Sequence, residues 1–141
     1  MKWFFDTSVL VPVLLEDHEH HERSFAVFSV ATKQSGCCAA HSLAEVYSTL
    51  TRLPGKHRLS GDQALLFLET VEQRLTIVAL NEAEYLATIR QAATNGIVGG
   101  MLYDALLAAC ANKANAERVY TWNLQHFQRL GTEFGKRVRT P

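Results

Sequence analysis

Four polar residues break apolar surroundings at well-separated points of the 141-residue chain. Asp6 follows "WFF" and precedes two hydroxyls, Thr7 and Ser8, before the apolar run resumes at Val9. Glu45 lies in "HSLAEVYSTL", Asp104 in "GGMLYDALLAAC" and Asn123 in "VYTWNLQHF". Singly, each has an ordinary explanation. Acids are stabilising near helix starts, and Asn after a strand is commonly a cap or turn residue. Asp6 is harder to dismiss, because an unpartnered carboxylate in a core is very costly. It needs satisfying partners, or it faces a site. Three carboxylates gathered at one spot repel one another and raise their own pKa values unless a cation neutralises them. Oxygen ligands without His or Cys suit Mg2+ or Mn2+ better than Zn2+. Magnesium held by a few carboxylates and several waters is the usual arrangement where a phosphate ester completes the shell. The chemistry implied is metal-assisted phosphodiester hydrolysis.

Such a set works only if the elements bring it to one place. Trp3 to Phe5 reads as a first strand, and Ser8 to Leu15 as a buried helix. The segment from His18 to about Thr32 is amphipathic, anchored by Phe25, Phe28 and Val30. Cys37 to Ala40 is a small-residue second strand, and "HSLAEVYSTLTRL" a helix stopped by Pro54-Gly55. Ser60 caps the helix "SGDQALLFLETVEQRL", "LTIVAL" is the third strand, and Asn81 caps "EAEYLATIRQAATN", which ends near Gly96. "GGMLYDALLAACANKAN" is an Ala-rich helix, "RVYTW" the fourth strand, "LQHFQRL" a short helix and "KRVRT" an edge strand. Strands separated by helices throughout predict an α/β fold with a mostly parallel sheet covered on both faces. Ligands bind such sheets outside the carboxyl ends of the strands. Asp6 sits at the end of the first strand, Asn123 after the fourth, and Glu45 and Asp104 are expected in the first turns of helices emerging at the same edge.

The bulk numbers frame this reading. The chain fits one domain over residues 1–141, with 48% apolar and 20% charged residues. No run approaches the ~18 apolar residues of a membrane span, and Asp6 stands where a signal peptide would need unbroken apolar sequence. Cys37, Cys38 and Cys110 are an odd number without C-x-x-C spacing, and are read as reduced, packed thiols of a cytoplasmic protein. Fourteen basic and fourteen acidic side chains leave zero net charge, so any grip on nucleic acid must be local. "RLPGKHR" (Arg52, Lys56, His57, Arg58) and "KRVRTP" (Lys136, Arg137, Arg139) could supply it, although solvated surface is the plainer explanation for both. "EDHEHHERS" brings His18, His20 and His21 together, but without H-E-x-x-H spacing, and an exposed helix start explains it better than a metal site. Trp122 could stack a base, with packing the simpler reading, and Trp3, Phe4 and Phe5 are core.

"FFDTSVLV", "HSLAEVYSTLTRLPG", "GGMLYDALLAACA" and "VYTWNLQHF", in this order and spacing, resemble the PIN-domain proteins, most of all the VapC toxins of bacterial type II toxin–antitoxin pairs. The resemblance spans nearly the whole chain and rests on four separated motifs. It implies a three-layer α/β/α sandwich and a Mg2+- or Mn2+-dependent ribonuclease, dimeric and inhibited by a VapB-like antitoxin. It also implies that Asp6, Glu45 and Asp104 are the acidic metal-site residues. Ser8 and Thr7 would bond to the site or to the substrate phosphate, and Thr121 would support the last motif. The fourth acidic position of many members falls on Asn123, whose amide oxygen can bind a metal but brings no charge.

Two other functions compete. A haloacid-dehalogenase-type phosphatase uses an aspartate after its first strand, but wants a second acid two residues on, where this chain has Ser8. A non-catalytic or RNA-processing module would bind RNA or a protein on the same scaffold; Asp6, Glu45 and Asp104 argue against it, while Asn123 is compatible with it.

Overall fold

A computed structural model describes residues 1–141. Strands β1 (Trp3–Phe5), β2 (Gly36–Ala39), β3 (Thr76–Val78), β4 (Arg118–Tyr120) and β5 (Val138–Arg139) form one sheet in the order β3-β2-β1-β4-β5, every pairing parallel. Eight helices connect and cover it: α1 (Thr7–Leu14), α2 (His21–Val30), α3 (Ala40–Thr51), α4 (Gly61–Arg74), α5 (Glu82–Thr94), α6 (Met101–Lys113), α7 (Leu124–Gln128) and α8 (Thr132–Gly135). The expected three-layer α/β/α sandwich is present, and its sheet is wholly rather than mostly parallel.

The layers follow from the two-residue period of strands. Phe5, Cys38 and Tyr120 enter one core, with Leu10 from α1, Phe28 from α2, Leu50 from α3 and Phe67 from α4. Their neighbours Phe4, Cys37 and Val119 enter the other, with Leu107 and Ala111 from α6, Phe127 from α7 and Phe134 from α8. Strands buried on both faces must be apolar throughout, and "GCCA" meets that demand with small residues because helices press closely on β2. A Cβ on Gly36 would lie 2.9 Å from Leu75 Cδ2 and 3.0 Å from Phe5. Trp3 is only half-buried, at the amino end of β1, where its ring tilts against Tyr120 at 6.2 Å.

Local capping chemistry sets three of the eight helix starts. Ser60 and Gln63 form a reciprocal capping box on α4, as do Asn81 and Glu84 on α5. Asp6 caps α1, so that helix begins at Thr7, one residue earlier than expected, and takes Pro12 into its interior. α2 starts at His21 instead of His18, because residues 15–20 form a turn. Glu45 is the sixth residue of α3, one residue further along than in a helix starting at His41, whereas Asp104 is the fourth of α6. The longer glutamate compensates, since helical side chains lean back toward the helix start. α8 is an additional short helix in the segment between the expected helix "LQHFQRL" and the edge strand, to which the sequence reading assigned no element.

The strand order places the topological switch between β1 and β4, with β2 on the other side of β1. A ligand crevice is expected there, beyond the carboxyl ends. Asp6 leaves β1, α3 leaves β2, and Asn123 follows β4. α6 must deliver the chain to the amino end of β4 through the short link 114–117, which leaves its first turn, with Asp104, at the carboxyl edge.

Candidate functional site

An open cleft of about 470 Å³ lies at this edge. Asp6, Thr7, Ser8, Glu45, Asp104 and Asn123 all line it, and Thr121 is buried directly behind. All seven residues singled out in the sequence therefore meet at one place.

Asp6 is almost completely buried, 3% exposed, and one of its oxygens accounts for how. Oδ2 accepts the Ser8 hydroxyl at 2.7 Å, the Thr121 hydroxyl at 2.8 Å and the Ser8 N–H at 3.4 Å. Oδ1 takes none of these bonds, and no buried polar side-chain atom in the chain lacks a partner, so Oδ1 is the oxygen open to the cleft. The two hydroxyls are fixed in turn. Ser8 Oγ accepts the Trp122 N–H at 2.9 Å, and Thr121 Oγ1 accepts the Asn123 N–H at 2.9 Å. The segment after β4 is thereby hydrogen-bonded to the start of α1 through the side chains that hold Asp6. Thr121→Val would leave the Asn123 N–H without its acceptor and Asp6 with one donor fewer. We expect a loss of about 1–3 kcal/mol, read from the midpoint of urea unfolding.

Burial raises the Asp6 pKa above the ordinary carboxylate range, against the lowering effect of the Ser8 and Thr121 hydrogen bonds. The Asp104 pKa is also raised, first by desolvation and further by the charges of Asp6 and Glu45, while His126 pulls it down. His126 Nδ1 is 3.8 Å from Asp104 Oδ2. Glu45 is steadied by the Thr7 hydroxyl, which lies 2.9 Å from both Glu45 Oε1 and Ser42 Oγ. His41, one turn earlier, has Nε2 4.0 Å from the same carboxylate. Asn123 stands at the N-cap position of α7, yet its side chain makes no capping bond and is exposed along the cleft.

The oxygens gathered here are carboxylate, amide and hydroxyl, the set that suits a hard divalent cation. No three acidic, His or Cys side chains close around a single point as a cage. Open spacing of this kind suits Mg2+, which uses one or two carboxylates and keeps several waters; it does not suit a dehydrated, fully enclosed ion.

The sequence reading missed one wall of the cleft. His18, Glu19 and His20 line it, although the histidine-rich turn was expected to be an exposed helix start. Trp122 lines it too. Neither basic patch does. Arg137 donates instead to the Ala116 carbonyl at 2.7 Å and to Asn112, and Arg58 to the Leu53 carbonyl at 3.0 Å.

Known proteins share this sequence pattern and fold. The sequence model of the PIN domain matches residues 3–132. Ribonuclease VapC27 of Mycobacterium tuberculosis (strain ATCC 25618 / H37Rv) is 39% identical over 113 residues, covering 79% of this chain and 78% of its own length. Ribonuclease VapC40 of the same species (strain CDC 1551 / Oshkosh) is 33% identical over 112 residues, 79% of this chain and 80% of its own. Among solved structures, VapBC2 from Rickettsia felis bound to a promoter DNA fragment superposes with a TM-score of 0.65 at 17% identity, over 99% of this chain and 98% of the other. Mycobacterium tuberculosis VapC20, a sarcin–ricin loop cleaving toxin, gives 0.67 at 13% identity, over 84% and 87%. The chain belongs to the PIN-domain family, in its VapC-like branch.

Proposed function

We propose that this chain is an endoribonuclease dependent on Mg2+ or Mn2+, the toxin of a type II toxin–antitoxin pair. The observation that carries the reading is the convergence of Asp6, Glu45 and Asp104 on one cleft, with Asp6 Oδ1 turned into it. Asp6, Glu45, Asp104 and the Asn123 amide would hold the ion, some of them through the waters it keeps. When bound, it supplies an acidified water and positive charge beside the scissile phosphate.

The chain's own residues do the rest. Ser8 and Thr121 hold one oxygen of Asp6 so that the other keeps its direction. Thr7 fixes the Glu45 carboxylate. Burial raises the Asp6 pKa, and burial together with the charges of Asp6 and Glu45 raises that of Asp104, so a bound cation would favour the ionised form of both.

A VapB-like antitoxin is the proposed inhibitor, and a homodimer the proposed assembly. An apolar groove between α1, α2 and α4 supports a protein partner. Leu14, Phe25 and Leu66 are 37%, 49% and 65% exposed along it, with Phe67 at its floor, and exposed patches of this kind mark interaction sites. No helix is long and apolar enough to cross a membrane.

The test has two arms. Purified protein should cut RNA with Mg2+ and not with chelator. Expression alone should arrest growth, and coexpression of the small reading frame beside its gene should restore it. Growth undisturbed by an active product would replace the toxin role with RNA processing.

A further inference from the structure

The turn between α1 and α2 and the first residue of α2 together carry three histidines, and two of them have evident structural tasks. His21 Nδ1 bonds to the Pro12 carbonyl at 2.8 Å, and His18 Nδ1 accepts the His20 N–H at 3.0 Å. The His20 ring does something else. It lies flat on Trp122, with centroids 3.7 Å apart and planes 8° from parallel, while its side chain stays 34% exposed on the cleft wall.

Trp122 is held at two points. Its backbone N–H donates to Ser8 Oγ at 2.9 Å, and its indole Nε1–H donates to the buried Ser24 Oγ at 2.9 Å. Ser8 Oγ is the same atom that donates to Asp6 Oδ2. A single hydroxyl therefore sets the distance from the aromatic pair to the open oxygen of Asp6.

The charge around the cleft says what such a pair is for. Asp6, Glu19, Glu45 and Asp104 line it, and no Lys or Arg does. The cation held by Asp6, Glu45 and Asp104 would offset their charge at the scissile phosphate, but with no Lys or Arg in the lining to hold the rest of the strand, further affinity has to come from contacts that carry no charge. A nucleobase stacked on an aromatic ring provides about 1–3 kcal/mol without regard to its identity.

We propose that His20, seated on Trp122, is a nucleobase platform. One unpaired base of single-stranded RNA stacks on the exposed side of His20, beside the tilted His18 ring 5.5 Å away, and the adjoining phosphate is thereby delivered to Asp6. The proposal rests on the ribonuclease reading and adds the residue that positions its substrate.

The test compares wild type, His20→Ala and His20→Phe on a single-stranded oligoribonucleotide carrying 2-aminopurine, with unfolding temperature as the check on folding. His20→Ala should raise KM at least about tenfold, the equivalent of about 1.4 kcal/mol, with kcat nearly unchanged. His20→Phe, which keeps a flat ring and loses the ionisable nitrogens, should restore KM. In an Asp6→Asn background that holds the RNA uncut, 2-aminopurine fluorescence should be quenched with His20 or Phe at this position and not with Ala. An unchanged KM in His20→Ala overturns the platform, as does a folded His20→Phe that fails to restore it. If the wild type neither cuts nor binds RNA, the ribonuclease reading falls as well; if it cuts normally and only the His20 comparison fails, that reading survives alone.

Discussion

Asp6→Asn should lower the rate of Mg2+-dependent RNA cleavage by about three orders of magnitude or more, the equivalent of about 4 kcal/mol of transition-state stabilisation, and should leave the fold intact. The asparagine carbonyl can accept the Ser8 and Thr121 hydroxyls that Oδ2 accepts now. Its NH2 group then takes the place of Oδ1 at the cleft, where no charge is left to bind a cation. The same substitution should hold or raise stability at neutral pH in chelator. Burial raises the Asp6 pKa in the folded chain, so the folded state binds the proton more tightly than the unfolded state does. The ionised carboxylate thus weakens folding above the folded-state pKa, and stability returns as pH falls toward the ordinary carboxylate value. Asp6→Asn removes this slope. Thermal unfolding of both proteins across pH measures it, and equal cleavage by the two would remove Asp6 from the mechanism.

Chelation should abolish cleavage, and Mg2+ should restore it and raise the unfolding temperature of the wild type. A ligand at about one hundred times its Kd adds about 2.7 kcal/mol, which for a domain of this size is roughly 5–10 °C. Asp6→Asn should show little of that rise. The dependence on pH has a definite sign. Bound cations require ionised carboxylates, and Asp6 and Asp104 hold their protons to higher pH than ordinary acids, so the shift should fade on acidification before a surface carboxylate would titrate. Asn123→Asp adds a charge at the cleft and should strengthen Mg2+ binding while lowering stability in chelator. A wild type whose unfolding temperature ignores Mg2+ would argue against an ion at this site.

The four polar intruders were legible in the sequence because each violates a local pattern, and a parallel α/β sheet dictates where such violations meet. Ser60 and Asn81 were legible as caps because capping is local chemistry. Strand order was not, since nothing in β4 states that it lies beside β1 instead of beyond β3. The start of α3 was placed one residue late, at His41, because the helix begins at Ala40 with no capping side chain to announce it. The histidine-rich turn was misread for a deeper reason. Its contact with Trp122 joins residues from opposite ends of the chain, and no periodicity links them. Trp122, set between two site residues, Thr121 and Asn123, was the one signal, weighed as a base-stacking residue with packing the simpler reading.

Neighbouring Cys37 and Cys38 enter opposite cores, and Cys110 joins Cys37. Burial pushes the thiols of Cys37 and Cys38 up to about 12 and that of Cys110 to about 11, so in the native chain they are shielded from alkylating reagents. Each layer of the sandwich thus carries its own built-in reporter. The order in which an alkylating reagent marks the three sulfurs would record which half of the molecule opens first.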